Sequence, residues 1–66
     1  MNKFDFSYDE YQRFLERCPF SEEERQILEM RRKGMPNVQI SMELNIGVST
    51  ITKRIKSISK KILKEI

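Results

Sequence analysis

The chain has 66 residues, 38% of them hydrophobic and 35% charged, with a formal net charge of +3. That length allows one small domain with one small core, marginal unless it packs well, dimerises or binds a partner. One cysteine, Cys18, and no histidine exclude an internal disulfide framework and a Cys/His metal set. No apolar run approaches a signal or membrane-spanning segment. The expectation is a protein of the reducing cytoplasm with no cofactor, no metal and no membrane partner. The charge is unevenly spread. Residues 1–32 hold six Lys/Arg against eight Asp/Glu, a balance of −2. Residues 33–66 hold seven against two, a balance of +5. A basic half beside an acidic one suggests a polyanion-binding face with a solvated back.

Met1 to Phe6 is expected to be a short extended arm. Ser7 then opens a helix over about 7–17. Glu10, three residues on, completes a capping box, and Phe6 with Tyr11 is placed for a hydrophobic staple. Tyr11, Phe14, Leu15 and Cys18 form the apolar stripe, and Pro19 pushes Cys18 out of helical geometry. Ser21 and Glu24 repeat the capping box for a helix over about 21–33. Glu22, Glu23 and Glu24 offset its dipole at the start, and Arg31, Arg32 and Lys33 do so at the end. Ile27, Leu28 and Met30 are expected to face the core, and Gly34 is a natural stop. The three glutamates are consecutive, so they do not share one helix face, and they read as helix electrostatics rather than chemistry.

From Asn37 to Ile55 the chain reads as a short helix, a tight turn and a second helix. The first, about 37–44 after Pro36, carries Ile40 and Leu44. The second, about 48–64, carries Val48, Ile51, Ile55, Ile58 and Ile62 at alternating spacings of three and four. Ser41 is small where the two helices cross. Asn45 lies at the bend, where a left-handed residue is commonly needed and Asn tolerates it. Ile46 can plug the angle. This spacing is that of a helix-turn-helix, and the fold class is all-α, a bundle of about four helices around it.

These residues also carry a family resemblance. Phe20 to Leu63 resembles the DNA-binding domain of LuxR/GerE-type regulators and is similar to region 4 of bacterial sigma factors. The opening FSEEERQIL looks like the LuxR-type entry, with Glu24, Arg25, Ile27 and Leu28 in register. Gly34, Asn37, Ile40, Leu44, Ile46, Thr50 and Ile51 fall at the positions that follow, and Arg54 with Ile55 is closer to the sigma version. Two features depart from the pattern. Gly47 stands where the family usually has Ser at the cap of the recognition helix, and the family's fourth helix is expected to be absent, because the chain ends at Ile66, with the N-terminal helix able to replace it through Tyr11, Phe14 and Leu15.

With Ile51 and Ile55 inward, the opposite face of the second helix presents Ser49, Thr52, Lys53 and Lys56, with Val48 at its start. These five are the candidates for reading bases in the major groove, Lys toward guanine and Val toward a thymine methyl. The bland alternative is that Lys53 or Lys56 meets only phosphate and solvent. The resemblance implies phosphate contacts at Asn37 and Thr50. Lys33, Arg54 and Lys60 join them by charge and placement, and backbone N–H groups at the starts of the two helices can add to them. Arg54 has a second reading, as the ion-pair partner of an acidic residue in the first helices. The far end of the last helix also has two readings. The N-terminal helix can cover it, or Ile58, Ile62, Leu63 and Ile66 can form a seam for a homodimer or another partner.

No glycine-rich phosphate loop, histidine base, nucleophile elbow or metal-ligand spacing supports an enzyme, and Cys18 reads as buried packing. The expectation is sequence-specific binding of double-stranded DNA and transcription regulation, in a small bacterial or phage regulator associated with the nucleoid when bound. Met1 and the N-terminal cap favour a complete chain over the alternative, a domain cut from a larger protein. Two alternatives stand beside this: a sigma-region-4-like module that docks on RNA polymerase or another factor, and a phage DNA-packaging component.

Overall fold

A computed structural model describes residues 6–66. Residues 1–5, which hold most of the expected N-terminal arm, lie outside the described residues. Four helices follow in order: α1 Tyr8–Arg17, α2 Glu22–Arg32, α3 Asn37–Leu44 and α4 Val48–Glu65. No strand occurs among the described residues.

The first two helices are closed by the same device. Ser7 Oγ accepts from the Glu10 amide and the Glu10 carboxylate accepts from the Ser7 amide. Ser21 and Glu24 repeat the exchange. Each box satisfies two amides that a helix start otherwise leaves without partners. Phe6 adds the staple, its ring stacked on Tyr11 at 6.5 Å and edge-on to Phe14 at 5.1 Å. Cys18 leaves helical geometry ahead of Pro19 at φ −88°, ψ 135°.

Two left-handed residues set the turns. Gly34, at φ +90°, ends α2, and its amide donates to the Arg31 carbonyl. A side chain there would be strained by the backbone alone. Asn45, at φ 56° and ψ 45°, ends α3 and makes the bend of the helix-turn-helix. Ser41 closes that bend from inside: its carbonyl accepts from the Ile46 amide and its hydroxyl donates to the Ile46 carbonyl.

α4 is the spine, roughly 27 Å long by helix rise, and each of the other helices packs on it. Ile27 and Leu28 of α2, Ile40 of α3, and Ile51 and Ile58 of α4 are fully buried. Tyr11, Phe14, Cys18, Phe20, Ile55 and Ile62 complete one continuous core. Met30, expected inside, is only partly buried at its edge, with Leu15, Met35, Leu44 and Ile46.

The far end of α4 is thereby decided. Ile58 and Ile62 share the core cluster with Tyr11, Phe14 and Cys18 of the N-terminal segment. The Cys18 thiol, its pKa pushed up by burial, donates to the Lys61 carbonyl at 3.6 Å, and Arg17 pairs with Glu65 at 3.5 Å. The seam expectation is corrected at Ile58 and Ile62, because the aromatic stripe of α1 takes up the apolar face that a partner would need. Leu63 and Ile66 alone of that set are on the surface, 70% and 87% exposed.

Candidate nucleic-acid interface

The outward face of α4 follows from its inward one. Ile51, Ile55, Ile58 and Ile62 fix the buried side, and at 100° per residue the positions opposite are Ser49, Lys53, Lys56, Lys60 and Lys64. All five are exposed. Lys53, Lys56, Lys60 and Lys64, with Ser57 and Lys61, line one shallow groove along the helix. No Asp or Glu occurs between Glu43 and Glu65, so nothing along this face of α4 neutralises it from within the helix.

The base-reading candidates all lie on exposed positions of α4. Val48, at the first turn, is 42% exposed. Ser49, Lys53 and Lys56 point away from the core, and Thr52 lies at one flank. Thr52 donates its hydroxyl proton to the Val48 carbonyl at 3.1 Å, which leaves its oxygen as an acceptor and its methyl as an apolar contact.

The phosphate candidates are more scattered. Thr50 is half-buried on the other flank of α4, one turn before Arg54. Arg54 pairs with Glu23 of α2 through its Nε, as its second reading anticipated. The Glu23 hydrogen bond and charge push the guanidinium still further from deprotonation. Lys60 lies in the lysine groove. Lys33 does not; it caps α2 and pairs with Glu29 at 3.5 Å. Asn37 begins α3, half-buried, and its Oδ1 has no hydrogen-bond partner among the described residues.

The backbone adds a feature that separates these two helices from the first two. Pro36 and Gly47 precede α3 and α4, and neither start has a side-chain cap. Neither first turn holds an acidic residue. Open amides at the positive end of a helix dipole are suited to an anion.

Two lysines were overlooked by sequence reasoning. Lys64 belongs to the exposed stripe, and its spacing of four from Lys60 and eleven from Lys53 was there to be read. Lys61, one residue from Lys60, turns onto the flank and does a different job. Its ammonium donates to Glu24 Oε1 at 2.7 Å and to the Pro19 carbonyl at 3.0 Å. Glu24 is only 4% exposed. Its burial alone would raise its pKa, but the Lys61 ammonium, the Ser21 amide and the Ser57 hydroxyl outweigh that and hold the carboxyl down at about 2. Read in the sequence as a capping residue, Glu24 is also the polar tie between α2 and α4.

No group of three or more His, Cys, Asp or Glu able to hold a metal occurs among the described residues. No described helix is long and apolar enough to cross a membrane.

Fold and surface together define a class: a small helix-turn-helix domain whose second helix carries an outward basic stripe. The comparison with known families is specific. Residues 18–63 match the family of bacterial regulatory proteins of the luxR type, and the chain belongs to that family. It is a family of DNA-binding regulators, and the matched span runs from Cys18 through the helix-turn-helix to Leu63. No curated protein and no solved structure matches the chain.

Proposed function

We propose that the chain binds double-stranded DNA sequence-specifically, with the first turns of α4 in the major groove, and that it regulates transcription. The observation that carries this reading is the outward stripe Ser49, Lys53, Lys56, Lys60 and Lys64, exposed and free of carboxylates. In this pose Val48, Ser49, Thr52, Lys53 and Lys56 meet base edges. Asn37, Thr50, Arg54 and Lys60, with the open amides of α3 and α4, meet phosphates. A groove about 12 Å wide holds only part of a helix as long as α4, so Lys60 and Lys64 fall on the backbone at its wall. Lys33, paired at the end of α2 and outside the lysine groove, has the weakest support of the set.

The rival, a module that docks on RNA polymerase or another protein, drew on an apolar C-terminal seam. With Ile58 and Ile62 in the core, that seam shrinks to Leu63 and Ile66. The same loss weakens a homodimer through α4, which would otherwise predict half-sites about one helical turn apart.

The test is a titration of the purified chain against a randomised duplex pool at low and near-physiological salt, with sequencing of the bound fraction. The reading expects an enriched motif. Salt-sensitive binding without enrichment would reduce it to a nonspecific binder. No binding at low salt would overturn it in favour of protein docking.

A further inference from the structure

Two neighbouring glutamates of α2 reach α4, and they do so in opposite ways. Glu24 is buried and held by Ser21, Ser57 and Lys61. Glu23 is partly exposed and holds Arg54. The side chains of that second pair are 37% and 48% exposed, and an exposed ion pair of this kind contributes little to folding. The fold is already tied at this place by Glu24, so the outer pair is dispensable to it.

Its position gives it another consequence. Arg54 lies one helical turn beyond Thr50 on the same flank of α4. Glu23 engages it through Nε, and while the pair is closed the carboxylate's charge offsets that of the guanidinium. Arginine matches carboxylate and phosphate with the same planar geometry. A partner that is weakly held in water can therefore be exchanged for a phosphate oxygen of a docked duplex. We infer that Glu23 competes with DNA phosphate for Arg54, so that a carboxylate outside the DNA-reading set fixes how much of the arginine's charge reaches the duplex. The inference rests on the DNA-binding reading and adds to it a residue that lowers sequence-independent affinity. Because phosphate contacts carry no base information, restraining one of them raises the weight of the base contacts in partner choice.

A double-mutant cycle tests it: wild type, Glu23→Gln, Arg54→Ala and the double variant, each titrated against a mixed-sequence duplex at about 50 and 200 mM salt, a range in which phosphate-dominated affinity is strongly salt-dependent. Glu22→Gln serves as the control, since it removes the same charge one residue away. Thermal melts show that each variant is folded. Glu23→Gln is expected to bind more tightly at low salt, with a salt slope steeper by about 0.9, the value of one added phosphate contact. Across that salt range the variant then loses roughly 3.5-fold more affinity than wild type. Both gains are expected to vanish in the Arg54→Ala background, and Glu22→Gln to show neither. An equal gain in Glu22→Gln, or one that persists without Arg54, would make Glu23 a mere through-space charge and overturn the inference. Weaker binding by Glu23→Gln would overturn it too, by making Glu23 a positioning residue for Arg54. If wild type binds no duplex, the DNA reading itself fails, and the inference with it. If wild type binds and Glu23→Gln is indistinguishable from it, the inference alone fails.

Discussion

The two ends of the chain solve the same local problem differently. α1 and α2 begin with complete capping boxes and carry acidic first turns. α3 and α4 begin after Pro36 and Gly47, with no side-chain cap and no acid. The charges divide along the same line. In the first half four acids are used internally: Glu10, Glu23, Glu24 and Glu29 each have a partner. In the second half Lys53, Lys56, Lys60 and Lys64 face outward along one groove. A small domain buries only a small core and gains from any additional tie between its elements. Here the first half supplies most of those ties, and the outward face of α4 keeps its four lysines, and α3 and α4 their helix starts, open. The contrast teaches where to look for function: in polar groups that the fold leaves unused.

The largest test of this division lies on α4 itself, where the inward and outward faces should separate. Ile58→Ala removes a fully buried side chain beneath α1 and is expected to cost about 2–5 kcal/mol, enough to unfold much of so small a domain. Chemical denaturation measures it. A near-neutral effect, with a loss of dimer by light scattering, would restore the seam and break the account of the core.

Next comes the tie between the halves. Glu24→Gln is expected to destabilise by about 1–3 kcal/mol, because a buried carboxylate bonded to Lys61, Ser57 and Ser21 loses its charge. The sign with pH follows from the depressed pKa. The carboxylate's contribution is present above the ordinary value of 4.5 and is lost as pH falls toward about 2. Melting temperature against pH should fall more steeply across that window in wild type than in Glu24→Gln. Parallel profiles would remove Glu24 as the tie.

On the outward face the readout changes from stability to DNA. Lys53→Ala is expected to weaken a cognate duplex by roughly 1–3 kcal/mol and to relax preference at one position, with an unchanged melt. An equal loss on every sequence would move Lys53 to the phosphate set. Lys60→Ala is expected to weaken all duplexes alike and to reduce the salt slope by about 0.9. A change of base preference would move it the other way. The smallest effect belongs to Gly47→Ser, which supplies the missing cap at a site where a Cβ meets nothing within 4 Å. It should stabilise by a few tenths of a kcal/mol, since Gly is only slightly poorer than Ser as an N-cap.

The fold was legible where its signals are local. Ser7 with Glu10, Ser21 with Glu24, Gly34 at a helix end and Asn45 at a bend are each decided by residues within three or four positions. The choice between a core and a dimer seam for Ile58 and Ile62 was not, because both uses need the same spacing. Only the docking of Tyr11 and Phe14, more than forty residues earlier, separates them. Glu24 shows the same limit. Its capping role is local, but its partners Ser57 and Lys61 lie 33 and 37 residues away, and the helical period that puts Lys61 on a flank does not say that a buried carboxylate of α2 lies against it. The outward stripe itself is a periodicity and was readable, down to Lys64. The division of that stripe between bases and phosphates depends on a docked duplex, which a sequence does not contain.

The measurement that tests the central claim most directly is a residue-resolved amide NMR titration of the chain with a duplex recovered from the pool. The account predicts shifts concentrated on the outward positions of α4 from Val48 to Lys64 and on the first amides of α3 and α4, with the amides of α1 unmoved. Shifts centred on α1, or on the exposed Leu63 and Ile66 with Lys53 and Lys56 silent, would contradict it.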